Sequence, residues 1–315
     1  MLKPRDALLK WSLVAGLRWL APGLLVLSTT ACSEPSVAAA CSSSADCAQK
    51  ECVAEMCIGR STKPWGTIPN RTLPEFQRDQ LAALAGHRVF FGHQSVGGNI
   101  LDGFRDLGRS LGVDLKLNEL TSAEDLAAPG FVHALNGKNE DPRSKIDAFA
   151  RTVESGVGER AEAAFFKFCY VDFNADTQVD ELFAHYQATM ARLEAAYPKT
   201  HFVHVTVPLT VTQGGVSGTV KRLLGRNVWG ESENFVRERF NEKLRSTYAG
   251  KQPLFDLAVV EATTQSGELS SFEREGQQVL RLVDSYAYDG QHLNEPGRKY
   301  VAARLTSFLA TLLRT

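Results

Sequence analysis

From residue 74 onward the apolar positions keep two alternating rhythms. Short, nearly continuous apolar runs predict strands at 88–91, 113–117, 164–171, 202–208 and 254–257. Around them, apolar residues recur every three or four positions, which predicts helices over 75–85, 98–111, 142–155, 177–197, 231–248 and 296–314. The helix at 177–197 puts Val179, Leu182, Phe183, Tyr186, Met190 and Leu193 on one face, and the last helix does the same with Val301, Leu305, Phe308 and Leu312. Two helix starts are punctuated. Asp141-Pro142 supplies a cap and a proline at the first helical position, and Asp176-Thr177 can cap the helix that follows. Regular alternation of strand and helix argues for an α/β domain, a five-stranded parallel sheet with helices on both faces. In such sheets ligands bind beyond the C-terminal ends of the strands.

The first 73 residues break this rhythm. Lys3, Arg5, Lys10 and Arg18 accompany a short apolar stretch at 19–27, which contains Pro22 and runs into Ser28-Thr29-Thr30-Ala31 before Cys32. A transmembrane helix needs about 20 apolar residues, so 1–31 reads as a signal peptide. Its end resembles a bacterial lipobox with Cys32 as the lipidated residue, although Thr29 stands where such boxes carry leucine. Ordinary signal-peptidase cleavage near Ala31 and an uncleaved anchor are the alternatives. The expectation is an exported protein of the bacterial cell envelope, held on a membrane surface by acyl chains at Cys32.

Residues 32–73 are polar, Ala/Ser-rich and proline-punctuated, which suits a spacer ahead of a domain at 74–315. Cys41, Cys47, Cys52 and Cys57 follow a C-x5-C-x4-C-x4-C spacing. In an oxidising compartment they read as a two-disulfide knob with three possible connectivities. A zinc site is the weaker reading, since no C-x-x-C pair occurs and no histidine precedes His87. Cys169, inside the apolar run "AAFFKFCYV", reads as a buried inert thiol. The hydrophobic fraction of 43% is a globular value and permits a sizeable core. A net charge of −1 gives no pull toward nucleic acid, and no such partner is expected.

Candidate chemistry starts at "FFGHQSVGGNI", residues 90–100. Ser95 sits between a strand's end and a helix's start, where free backbone N–H groups and the positive helix end favour a developing oxyanion. The plain alternative is that Ser95 caps the helix. The stretch is not a G-x-S-x-G elbow, because one residue too many separates Gly92 from the serine. Partners decide between the readings. Near the C-terminus "DSYAYDGQHLNEPGRKYVAARL" contains Asp289-Gly290-Gln291-His292. A carboxylate three residues before an imidazole can accept its Nδ1–H, leaving Nε2 free to take a proton from a serine.

With a serine after the first strand and D-x-x-H before the last helix, residues 85–315 resemble the SGNH/GDSL hydrolase family, and "DGQHLNEPGRKYVAARLTSFL" is similar to that family's closing block. The resemblance implies a flavodoxin-like three-layer α/β/α sandwich. It also implies Ser95 as nucleophile, His292 as general base and acid, and Asp289 as its orienting partner. The family's oxyanion hole takes the serine's own N–H, a glycine N–H from a second block and an asparagine side chain from a third. Here those positions correspond to Ser95, Gly137 (with Gly130 as competitor) and Asn174, while Asp172 is a candidate for holding the surrounding loops. Plain turn roles for both glycines and a loop or cap role for Asn174 stay open. Two blocks depart from the family pattern: His93-Gln94-Ser95 replaces Gly-Asp-Ser, and Gly-x-Asn-Asp is absent from the third. His93 then reads as a structural turn histidine.

The expected function is hydrolysis of O-acyl esters, on carbohydrates, cell-envelope polymers or small lipids, with no metal or organic cofactor. An O-acyltransferase with the same triad and a non-catalytic carbohydrate-binding module are the alternatives. His201 and His204 lie three apart on a strand, hence on opposite faces, and read as core or edge residues rather than metal ligands. The glycine-rich, basic segment 212–226 matches no P-loop and reads as a loop beyond the fourth strand, where Lys221, Arg222 and Arg226 face solvent by default.

Overall fold

The computed structural model describes residues 50–53, 56–59, 73–214, 220, 224 and 228–314. The signal-peptide segment, Cys32, Cys41, Cys47, Lys221, Arg222 and Arg226 lie outside these residues. Strands β1 (Lys50–Val53) and β2 (Met56–Gly59) form an antiparallel hairpin whose backbone register sets Cys52 opposite Cys57. Their side chains, and with them the expected disulfides, lie outside the description.

The domain proper opens with α1 (Leu73–Ala85), β3 (Arg88–His93) and α2 (Val96–Leu111). There follow β4 (Leu117–Glu119), β5 (Gly130–Leu135), α3 (Pro142–Thr152), β6 (Ala163–Phe166) and α4 (Val179–Ala196). The last stretch holds β7 (His201–Val205), α5 (Glu231–Tyr248), β8 (Leu254–Phe255), α6 (Leu257–Ala262), the hairpin β9 (Ser271–Arg274) and β10 (Gln277–Leu280), and α7 (Glu295–Leu312). A six-stranded, all-parallel sheet runs in the order β4-β5-β3-β6-β7-β8.

Side-chain alternation along the strands builds two cores, one on each face. Val89 and Phe91, Phe131, Phe165 and Val203 pack toward α1, α2 and α7. Their neighbours Phe90, Val132, Phe166 and Phe202 pack toward α3, α4 and α5. The result is the expected three-layer α/β/α sandwich. Without the short edge strand β4, the order β5-β3-β6-β7-β8 is the doubly wound order 2-1-3-4-5, with its switch point beside the end of β3.

The strand count is a correction, six rather than five. β5, "GFVHAL", is not among the predicted strands: its apolar run after Pro129 is short and a histidine interrupts it. Its strand character comes from pairing with β3 on one side and β4 on the other. The run at 113–117 is strand only from Leu117, at the sheet edge, and the run at 164–171 ends as a strand at Phe166. Helix 142–155 stops at Thr152, where a π turn begins, and neither α6 nor the β9–β10 hairpin was expected. Among the described residues no helix is long and apolar enough to cross a membrane.

Candidate active site

β3 delivers Ser95 to the C-terminal edge of the sheet. The backbone N–H groups of Lys167 and Asn136 donate to the carbonyls of Gly92 and His93, so β6 and β5 grip the end of β3 from both sides. The chain then turns sharply. Ser95 has φ 49° and ψ −112°, a left-handed φ that costs a non-glycine residue about 1–3 kcal/mol and persists only where the surroundings enforce it. Two residues on, a Cβ at Gly97 would lie 2.3 Å from the Cβ of His93, so only glycine lets the turn close this tightly. Ser95 makes no side-chain cap to α2. Its Oγ instead lies 2.7 Å from Nε2 of His292.

His292 is held by its own loop. Asp289 Oδ2 lies 2.7 Å from Nδ1 of His292, while Oδ1 accepts the backbone N–H groups of Gln291 (2.8 Å) and His292 (2.7 Å). Partial burial works to raise the Asp289 pKa, but these hydrogen bonds and the imidazole outweigh it and bring the carboxyl below its ordinary value. The ring of Tyr288 stacks on His292 with centroids 5.7 Å apart, and Leu293 N–H donates to Asn99 Oδ1 on α2 (3.2 Å). Asn294 caps α7 by accepting Gly297 N–H (3.0 Å), and its amide donates to the carbonyls of Ser285 and Ala287. The Asn-x-x-Gly after the histidine is therefore a device that fixes the loop.

The structure separates the three oxyanion candidates. Gly130 pairs with Arg88 at the start of β5, whereas Leu135 pairs with His93 at its end. That places Gly130 about 17 Å from the serine edge, at about 3.3 Å per residue. Gly137 lies just beyond β5, where Gln94, the residue before Ser95, donates its side-chain amide to the Gly137 carbonyl. Gly137 has φ 62°, and a Cβ there would meet the Lys145 backbone at 2.6 Å. Asn174 is exposed, and its side-chain oxygen accepts Asp176 N–H (2.9 Å) within its own turn. It lines a groove with Glu140 and Asp176 and is not brought to Ser95.

Tyr170 is what the structure brings there from the same segment. This residue stood inside a predicted strand, but the strand ends four residues earlier and Tyr170 opens a short 3-10 turn. Its hydroxyl lies 3.4 Å from His292 Nε2, and its ring meets the imidazole edge-on, centroids 5.6 Å apart. Asp172 closes the turn: buried with Lys145 (2.7 Å), it also accepts the N–H groups of Cys169 (2.6 Å) and Glu140 (2.9 Å).

Other singled-out residues are structural. His93 is buried against His133 (3.2 Å), and burial, then the neighbouring His133, lowers its pKa to about 3. His204 is fully buried between Tyr186 and Gln252 (2.8 Å each), while His201 is exposed at the strand's start. Cys169 is a buried free thiol. Most of 212–226 lies outside the described residues.

No protein-family model and no curated protein matches the chain. Solved structures similar to it include a lipase/acylhydrolase from Enterococcus faecalis, 10% identical, covering 72% of this chain and 96% of that one, TM-score 0.43. A carbohydrate esterase family 3 protein from Talaromyces cellulolyticus is 13% identical over 72% and 97% of the two chains, TM-score 0.40. A psychrotrophic esterase from Pseudoalteromonas sp. is 9% identical over 72% and 98%, TM-score 0.41. None of them assigns a role to a residue of this chain.

Proposed function

We propose that this protein is a serine ester hydrolase with Ser95 as nucleophile, His292 as general base and acid, and Asp289 as orienting carboxylate. The observation that carries the reading is the continuous relay from Asp289 through His292 to Ser95, with 2.7 Å at each step. Nothing about capping a helix requires a serine strained at positive φ with its hydroxyl on an imidazole. Ser95 Oγ attacks the ester carbonyl as its proton passes to His292 Nε2, and the carbonyl π pair moves onto oxygen. When the oxyanion collapses, the C–O bond to the alcohol breaks and the alkoxide takes the proton from Nε2. Water, deprotonated by the same nitrogen, then cleaves the acyl-enzyme and regenerates Ser95.

In this reading Asp289, ionised and fixed by two backbone N–H groups, holds the imidazole in the tautomer that leaves Nε2 free. The backbone N–H groups of Ser95 and Gly137 are the oxyanion donors in this reading, which the hydrogen bond tying the Gln94 side chain to the Gly137 carbonyl supports. The substrates are O-acyl esters of carbohydrates, including envelope polymers. Two exposed aromatic residues support this choice of alcohol: Tyr288 on His292, and Trp229, whose ring lies against Gly290 beside Asp289. Flat aromatic faces at a site's mouth suit the apolar faces of sugar rings.

An alkyl fluorophosphonate, which reacts with activated serines, tests the reading. The expected result is one labelled peptide carrying Ser95 and no label in His292→Ala. Folded wild-type protein that takes up no label overturns it.

A further inference from the structure

A carbonyl adduct at Ser95 needs hydrogen-bond donors that are already in place when its oxygen becomes negative. Two backbone N–H groups are proposed above, and Asn174 is engaged in its own turn. Among the described residues, the Tyr170 hydroxyl is a polar group that reaches the Ser95–His292 pair. It sits 3.4 Å from His292 Nε2, the atom that also holds the Ser95 hydroxyl at 2.7 Å. The side chain is 7% exposed and braced from behind. Arg237, itself buried, donates its Nε–H to the Tyr170 carbonyl (3.0 Å) and places its guanidinium 5.8 Å from the ring centroid. The Asp172–Lys145 pair locks the turn on the other side. A buried cation, a buried anion and a rigid ring therefore point one hydroxyl at the reacting atoms.

We propose that Tyr170 is a catalytic residue whose hydroxyl donates a hydrogen bond to the substrate oxygen as it becomes an oxyanion. This rests on the serine-hydrolase reading above. Before attack, Nε2 is an acceptor for the Ser95 hydroxyl. Once the serine proton has moved there, Nε2 is a donor and no longer accepts from Tyr170, whose hydroxyl turns to the newly negative oxygen, the stronger acceptor beside Ser95. Tyr170 keeps its own proton throughout, so no further proton acceptor is needed. Burial, followed by the negative charge of Asp289, raises its pKa above the ordinary tyrosine value, against the pull of a hydrogen bond with Ser95. The donor form therefore persists wherever the serine chemistry runs.

The test is the rate at which an alkyl fluorophosphonate phosphonylates Ser95 in wild type and in Tyr170→Phe. In that reaction Oγ bonds to phosphorus, fluoride leaves, and the phosphoryl oxygen gains charge as the ester oxygen would, so the natural substrate need not be known. Tyr170→Phe removes one oxygen and keeps the ring against Arg237. A thermal midpoint near that of wild type shows that it folds. The expected result is an about 10²–10³-fold lower maximal labelling rate, with the half-saturating reagent concentration unchanged. An unchanged maximal rate, or a loss confined to the half-saturating concentration, overturns the role of Tyr170 and leaves the triad standing. Absence of label on Ser95 in wild type overturns the hydrolase reading instead. Should Tyr170→Phe be unstable, Arg237→Lys supplies the second measurement. It leaves the hydroxyl in place but loosens its brace, so its labelling rate falls less than about 10²-fold, and an equal or larger fall overturns the proposal.

Discussion

Asp289 and His292 stand three residues apart on one loop and organise each other through short hydrogen bonds, whereas Ser95 reaches them across 197 residues of chain. The histidine side needs little beyond its own segment: a carboxylate that folds back on two N–H groups, and a cap on the next helix. The serine side depends on everything around it. β5 and β6 clamp the end of β3, Gly97 makes room for the turn, and a strained backbone is held at φ 49°. Behind it lies the buried Asp172–Lys145 pair. One half of the site is local chemistry on a half-exposed loop, and the other is tertiary structure under strain. Damage should follow that division.

The largest effects fall where the halves meet. Ser95→Ala and His292→Ala should each lower turnover of an activated ester by about 10⁴–10⁶, and the double variant little further, because the two act as a unit. A product of the two single losses in the double variant would show that they act separately. Asp289→Ala should cost about 10⁴. Because hydrogen bonds from its own loop hold the Asp289 carboxyl below its ordinary pKa, protonation of that carboxyl should cost turnover only at acid pH, below the ordinary carboxylate range. A pH–rate limb above that range that disappears in Asp289→Asn would contradict this.

Stability separates the halves next. Asp172→Ala leaves the buried Lys145 charge with only the neutral Asn139 side chain and should cost about 3–5 kcal/mol in urea unfolding, the signature of a broken buried pair. Asn294→Ala removes a helix cap on the histidine side and should cost only about 0.5–2 kcal/mol. Equal losses would mean that the histidine loop leans on the tertiary structure as heavily as the serine turn does. Smallest of all, Asn99→Ala cuts the hydrogen bond from α2 to Leu293 and should cost about 0.5–1.5 kcal/mol. A much larger loss there would mean that the two halves are one cooperative unit.

The same division explains what could be read in advance. D-x-x-H is legible because its partners are neighbours in the chain. The serine's place at a strand end is legible because apolar run, serine and glycines succeed one another. The helices' inward faces follow from their periodicity, and α4 buries Val179, Leu182, Phe183, Tyr186, Met190 and Leu193 as expected. β5 was not legible, since six residues with an internal histidine become a strand only between two partners. Nor was the stop of β6 at Phe166, which comes where β3 leaves the sheet for the Ser95 turn. That stop moves Tyr170 from an expected strand interior to the side of His292.

By itself the sequence determined most of the strand–helix alternation, the inner face of α4 and the Asp289–His292 pair. These depend on spacings of two to four residues, which the backbone geometry of strand, helix and turn converts directly into neighbours. The tertiary structure decided the sixth strand, the distance of Gly130 from the Ser95 turn, and Tyr170 rather than Asn174 beside His292. Each of those depends on strand register and on where neighbouring strands end, quantities set by pairing between segments far apart in the chain.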